Sequence, residues 1–447
     1  MKSTLSSPTE ISSLCGKEEA ERGLSSMALG LVGSEILKIA AEIRALAAAG
    51  QDVCNLTVGD FNAAQFPIPK YLRDETTSAL ARGETNYPPS DGMPELRKAI
   101  QKEYEHRLGL KYPVDSVLIA SGARPIIYST YRAVLDPGET VLFPTPSWNN
   151  NHYVHLCGAH GVEVPVGAET NFLPTAGLLA PHLREARLVV VNTPLNPTGT
   201  VMAEAEVRAL GEMLVSENAR RKREGGRPLY LMYDHVYRTL TFRGYHHHTP
   251  VRLVPECAPY VIFVDAISKA FCATGLRVGW VVGPAPVVSR MRDIIGHVGA
   301  WAPRAEQVAS AKLLDNFEEV DRFHESMLEQ VSVRLEALYR GLDRLRAAGV
   351  PIEVIEPQGA IYLTARFNFI GKKAPKDARF PNTPDTFQTN EQIRRFLLER
   401  AGFGVVPFQA FGVKGENGWF RLSVGAVSVA DIERVMTRLE AAVSSIR

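Results

Sequence analysis

Four short runs carry side chains that could do chemistry, and most follow or end a short apolar stretch. Asn192-Thr-Pro-Leu-Asn196-Pro-Thr-Gly-Thr200 comes directly after Leu188-Val-Val-Val191. Its two prolines and glycine cannot extend a strand, so it reads as a rigid turn at a strand's carboxyl end. Asp234 closes Leu229-Tyr-Leu-Met-Tyr233, with Tyr237 shortly after it. Ser268-Lys269-Ala-Phe271 follows Val261-Ile-Phe-Val264 and leads into Thr274-Gly-Leu-Arg277-Val-Gly279. Phe420-Arg421-Leu-Ser423 comes late in the chain. An amine can attack a carbonyl and move a proton, and a guanidinium fork grips a carboxylate. In open α/β sheets ligands gather at the carboxyl ends of strands. Taken singly, each run also reads as a turn cap, a chance Ser-Lys pair or an ordinary Asn-Pro turn.

Rival chemistries lack their motifs. No GxGxxG follows a strand and no GxxxxGK[ST] occurs, so nucleotide-binding readings lose their usual support. Zinc spacing is absent, and His246-His-His248, beside Thr and Pro, reads as a solvated turn rather than a metal site.

Together, and in this order, the runs resemble the fold type I pyridoxal-phosphate aminotransferases of class I/II, the aspartate aminotransferase superfamily. The likeness extends from about Ser34 to the C-terminus. It implies pyridoxal 5'-phosphate as cofactor and ping-pong transfer of an amino group from an L-amino acid to a 2-oxo acid. By this resemblance Lys269 forms the Schiff base and shuttles the proton. Asp234 pairs with the pyridinium nitrogen and keeps the ring an electron sink. Asn196 and Tyr237 hydrogen-bond the ring's phenolic oxygen. The phosphate is implied to meet Gly122, Ala123 and Arg124 at a helix start, together with Ser268 and Arg277. Trp148 matches the aromatic that stacks on the ring. Tyr87 matches a tyrosine lent to the neighbouring subunit's phosphate, which implies a homodimer with shared sites. Arg421 matches the α-carboxylate arginine, with Gly59 and Asn196 beside the same group.

The resemblance also bears on substrate. Arg124 falls where some bacterial aspartate aminotransferases carry a lysine that contacts the distal carboxylate, so aspartate with 2-oxoglutarate is the favoured pair. Arg304 is a second candidate for that role. Aromatic, alanine-type and kynurenine-type substrates, or C–S β-lysis on the same fold, are the alternatives. Three positions depart from the family text. Ala266 stands where many members place a phosphate-binding serine, Phe61 where proline is usual, and Asn151 where a tyrosine often occurs.

These residues need a scaffold. From about residue 92, helical patterns alternate with short apolar strands, which implies an α/β protein whose mostly parallel sheet is covered on both faces. The expected large domain, 64–325, holds a mostly parallel seven-stranded sheet sandwiched by helices. A smaller α+β domain is built from both chain ends, 23–63 and 326–447, and residues 1–22 form a flexible arm. Ser34 is expected to cap the helix that begins at Glu35.

Composition narrows the class further. The chain has 447 residues, enough for two or three domains at ~100–200 residues each. Lys plus Arg number 50 against 49 Asp plus Glu, a net charge of +1, which argues against nucleic acid held by bulk charge. No apolar run approaches the ~18–20 residues that span a bilayer, so no membrane partner is expected. The polar N-terminus lacks the apolar core of a secretory signal. Five scattered cysteines, none in a CxxC, suit reduced thiols in the cytoplasm.

Overall fold

The computed structural model describes residues 21–380 and 383–446. The expected arm, 1–22, thus lies outside the described residues apart from Glu21 and Arg22.

Seven short segments form one sheet: β1 (Val117–Ala120), β2 (Thr140–Thr145), β3 (His160–Pro165), β4 (Ala186–Asn192), β5 (Tyr230–Asp234), β6 (Val261–Ala266) and β7 (Gly279–Val282). Their order across the sheet is β1-β7-β6-β5-β4-β2-β3. Only β7 runs antiparallel to its neighbours. The runs Leu188–Val191 and Val261–Val264 are buried at every position, as strands covered on both faces must be. On one face Leu118, Val190, Ile262 and Val264 pack with Ile126, Ile127, Val288 and Met291 of helices Ala123–Val134 and Ala285–Val298. On the other, Val189, Val191, Leu231 and Phe263 share a core with Leu210 and Leu214 of helix Glu204–Arg223 and with Leu313 of helix Arg304–Asp315. The carboxyl ends of β1, β4, β5 and β6 therefore emerge along one edge, where Asn192 and Asp234 are direct neighbours across the ladder.

A second core forms around β8 (Ile352–Val354), β9 (Tyr362–Phe367), β10 (Val406–Pro407) and β11 (Trp419–Ser423). This antiparallel sheet has the order β10-β11-β9-β8. Cys54–Asn55 pairs in parallel with Phe403–Gly404, so residues ahead of the large sheet join those that follow it. Leu56 and Phe66 accordingly share this core with Leu363, Phe367, Phe420 and Leu439. The smaller α+β layer is thus made from both ends of the chain. One helix, Phe317–Ala347, serves both cores: Val320 lies in the first, and Val331, Leu335 and Leu338 in the second.

Helix Glu35–Ala48 is anchored by Ile39 and Ile43 and by Arg394, which donates to Glu42 at 2.9 Å. Ser34 stands at its N-cap position without a side-chain capping bond, contrary to the expected cap. Its residue type suits capping, but the segment places it on the wall of a cavity instead. Among the described residues no helix is long and apolar enough to cross a membrane.

Candidate active site

A cavity of about 350 Å³ opens at the carboxyl edge of the large sheet, against the second core. Of the site residues expected from sequence, all but Gly122, Tyr87 and the second distal-carboxylate candidate Arg304 line it.

The turn after β4 is held by its own first residue. Asn192 Nδ2 donates to the Asp234 carbonyl at 3.0 Å, and its Oδ1 accepts from the Asn196 amide at 2.9 Å. Asp234 Oδ1 in turn accepts from the Val236 amide at 3.2 Å. Burial, with the charge of Asp265, pushes the Asp234 carboxyl up to about 7, against the pull of that amide. A cationic group beside it would restore the carboxylate. Asp265 lies one residue past the ladder partner of Asp234 and accepts from Arg238 Nε at 2.8 Å. Arg238 also donates to Glu103 at 2.9 Å, which completes a buried ionic group behind the site.

Lys269 sits in the short helix Ile267–Ala270, and its Nζ donates to the carbonyl of Gly59. Burial, helped by Arg421 and Arg124 and opposed by Asp60, brings the amine down to about 8. A substantial share is therefore neutral, and nucleophilic, in mildly alkaline solution.

Arg421 is 1% exposed on β11. Its Nη1 donates to Asn196 Oδ1 at 3.1 Å and its Nη2 to the carbonyl of Thr57, while Nε has no partner. Its guanidinium carbon lies 4.8 Å from the Tyr362 ring centre and 4.9 Å from that of Phe411. Its ionisable neighbours are the phenols of Tyr362 and Tyr237, which burial keeps protonated and uncharged, and no acidic side chain among the described residues pairs with it. A buried cation without a counterion is costly. Its natural complement is an anion from outside the chain.

A second anion cradle lies at the start of helix Ala123–Val134. Arg277 donates from Nη1 to the Thr274 carbonyl at 2.7 Å and from Nη2 to the Ser121 carbonyl at 3.1 Å. That fixes its guanidinium beside the first-turn amides, which have no intrahelical partners. Gly122, the N-cap, has φ +85°, and a Cβ there would stand 2.3 Å from Arg277 Nη2. Gly122→Ala should therefore both strain the turn and displace the guanidinium. We expect affinity for a phosphate-bearing ligand to fall about tenfold or more, read as ligand released on dialysis. Retention at the wild-type level would show that the cradle tolerates a Cβ.

Arg124 lies over Trp148, with its guanidinium carbon 4.7 Å from the ring centre. Ser268 is buried, as is Ala266. Tyr87 is 83% exposed, meets Trp301 edge-on at 5.4 Å and is outside the cavity wall. Arg304 is also outside it, and its Nε donates to Glu84 at 2.6 Å. Asn151 is exposed, whereas Asn150 lines the cavity and donates to Ser147 Oγ at 3.2 Å. The histidine run is not the solvated turn its composition suggests. His246 is exposed, but His247 turns inward with Nε2 3.2 Å from His235 Nδ1, and Tyr233 donates to the His248 carbonyl at 2.8 Å.

Sequence reasoning missed two wall residues whose side chains bear on the site, Asp60 and Tyr362. Asp60 accepts from Thr274 Oγ1 at 2.7 Å and from the Phe61 amide at 2.8 Å. Tyr362 reaches in from β9, its hydroxyl 2.7 Å from that of Tyr237. The adjacency of Asp60 to Gly59 was the only local signal for either of them.

Comparison with known proteins agrees with this geometry. The family described as "Aminotransferase class I and II" matches residues 51–439. An aspartate aminotransferase of Rhizobium meliloti (strain 1021) is 30% identical over 412 residues, covering 92% of this chain and 93% of that protein. A probable aspartate/prephenate aminotransferase of Thermus aquaticus is 30% identical over 396 residues, covering 88% and 93%. Among solved structures, the aspartate aminotransferase from Rhizobium meliloti superposes with a TM-score of 0.82 at 29% identity, covering 95% of this chain and 99% of that one. The Thermus thermophilus aspartate aminotransferase with maleate gives 0.81 at 26% identity, covering 94% and 100%.

Proposed function

The chain belongs to the class I and II aminotransferases, pyridoxal-phosphate-dependent enzymes, and on that premise we propose that it moves the amino group of aspartate to a 2-oxo acid such as 2-oxoglutarate. The observation that carries this reading is Arg421, buried without an acidic neighbour in the same cavity as Lys269 and Asp234.

The residues suit the cofactor. The Gly122–Arg277 cradle fits a phosphate, a buried carboxyl at Asp234 fits a cationic ring nitrogen, and Trp148 offers an aromatic face. Pyridoxal phosphate, when bound, supplies an aldehyde that condenses with amines and a ring that withdraws electrons from the carbon attached there. In this reading Asp234 holds the proton at the ring nitrogen, and Tyr237 and Asn196 hydrogen-bond the phenolic oxygen. Arg277 and the amides of Ala123 and Arg124 hold the phosphate. Arg421 grips the substrate α-carboxylate in two parallel hydrogen bonds, fixing the Cα–H bond relative to Lys269. The Lys269 amine, when free, would take the proton from the substrate Cα and return it on the carbon beyond the amino nitrogen, two atoms along.

We assign the distal carboxylate to Arg124. Arg124→Ala should lower kcat/KM for aspartate by roughly 10- to 150-fold, the worth of one charged hydrogen bond, and leave alanine little changed. A half-reaction screen tests the substrate directly: each amino acid is mixed with the holoenzyme and the loss of cofactor absorbance followed. If aspartate and glutamate leave the spectrum unchanged while aromatic amino acids bleach it, the dicarboxylate reading is wrong. A bulkier acceptor of the prephenate kind named for some relatives is the second reading, favoured by Ile36 and Leu37 on the cavity wall. Consumption of 2-oxoglutarate in step with the amino acid separates transamination from β-lysis, which needs no oxo acid.

Two further inferences complete the reading. The exposed Tyr87 is proposed to enter the site of a second copy in a homodimer. The four described cysteines, all buried and unpaired, support a reducing compartment such as the cytoplasm.

A further inference from the structure

Tyr362 joins groups to which the mechanism gives separate tasks. It lies on β9, beside the strand that carries Arg421, and is 1% exposed. Its ring lies against the Arg421 guanidinium, 4.8 Å from centre to carbon. Its hydroxyl is 2.7 Å from that of Tyr237. A Cβ at Gly59 would stand 2.7 Å from the same hydroxyl, so the missing side chain there makes room for it.

A phenol has one proton to donate. If Tyr237 spends its proton on the cofactor's phenolic oxygen, as proposed above, the contact between the two hydroxyls requires Tyr362 to donate to Tyr237. Donors in series strengthen one another. Burial raises both phenols, and the positive charge of Arg421 opposes this on both but foremost on Tyr362, against whose ring it lies, which makes Tyr362 the better donor. A carboxylate seated on Arg421 neutralises the charge and weakens the series. The other ionisable groups acting on the pair are Asp60, on Tyr362, and Asp234, on Tyr237. Both are present whether or not Arg421 is occupied.

We propose that Tyr362 is a positioning residue that reports the occupancy of Arg421 to Tyr237, and through it alters the proton affinity of the nitrogen joining Lys269 to the cofactor. The inference rests on the placement of Tyr237 at the phenolic oxygen.

The test is an absorbance titration of the holoenzyme against pH, with and without a non-reactive dicarboxylate such as succinate. Tyr362→Phe keeps volume and shape, so packing is preserved. In the ligand-free variant the titration midpoint should rise by roughly half a unit to one unit, because Tyr237 donates less strongly. In the wild type succinate should shift the midpoint upward, because it neutralises Arg421 and weakens the series, and in Tyr362→Phe that shift should shrink. A midpoint and a ligand-induced shift equal to those of the wild type would overturn the relay. Tyr237→Phe separates this outcome from failure of the underlying reading: it must raise the midpoint by itself, and adding Tyr362→Phe must then change nothing more. No shift in Tyr237→Phe would remove the contact on which the relay depends. Additive shifts in the double variant would show Tyr362 acting independently of Tyr237.

Discussion

Replacing Arg421 with leucine should abolish useful transamination while leaving the protein close to wild-type stability. Both expectations follow from the same burial. In the cavity the guanidinium is out of water, has no carboxylate partner among the described residues and leaves Nε without one. Replacing a buried charge by an apolar side chain of similar volume is often neutral or stabilising by about 1–4 kcal/mol. Here that gain is offset by the carbonyl of Thr57 and the Asn196 Oδ1, which lose their donor at about 1–3 kcal/mol each. The balance is near zero, so the unfolding midpoint of the cofactor-free protein should stay within about 5 °C of wild type. Activity has no such compensation. Removing one member of a buried, hydrogen-bonded ion pair costs about 2–5 kcal/mol, or roughly 30- to several-thousand-fold in kcat/KM. Arg421→Lys should recover only part of this, since an ammonium cannot present a planar fork. A large drop in stability together with the loss of activity would make Arg421 a structural residue and remove the main support for an anion site.

Lys269→Ala should lose catalysis to a comparable or greater extent. The variant has no amine to bond the cofactor covalently and none to move the Cα proton, and the second deficit alone is worth roughly 10²- to 10⁴-fold. It should purify with cofactor that dialyses away, and a small external amine should restore part of the rate by entering the vacated space. A covalently retained cofactor would identify a different lysine. The buried setting of Lys269 adds a pH signature. Only the neutral amine attacks an aldehyde, and burial lowers its pKa to about 8. Capture of added pyridoxal phosphate by the cofactor-free protein should therefore accelerate as pH rises toward about 8 and level off above it. A lysine in water would keep gaining past pH 10. Continued acceleration through that range would show that the amine is not shielded as the structure has it.

Much of the site was legible because its chemistry sits where strands stop. Asn192–Thr200, Asp234 and Ser268–Lys269 each adjoin an apolar run, and the resulting sheet brings those ends together. Tyr362 gave no such signal. In Ala360-Ile-Tyr-Leu363 it reads as one more core aromatic, and only the packing of the two cores shows its hydroxyl meeting Tyr237. The ionic group of Glu103, Arg238 and Asp265 was hidden for a related reason, because its members are scattered along the chain and no periodicity links them. His247 was misread since a polar triplet beside proline suits a loop, while the tertiary fold turns its middle member onto His235. Ser34 shows the converse: the residue type suited a cap, yet its hydroxyl makes no capping bond.

The pairing of β9 with β11 has a mechanical consequence. Thr364 and Arg421 are ladder partners, so Tyr362 and Arg421 ride on one stiff plate. The helix Phe317–Ala347 roots that plate in the large sheet's core as well as in its own. Should the plate tilt away from the sheet edge, the rod must swing with it, and the carboxylate grip and the phenol contact would be withdrawn in a single stroke.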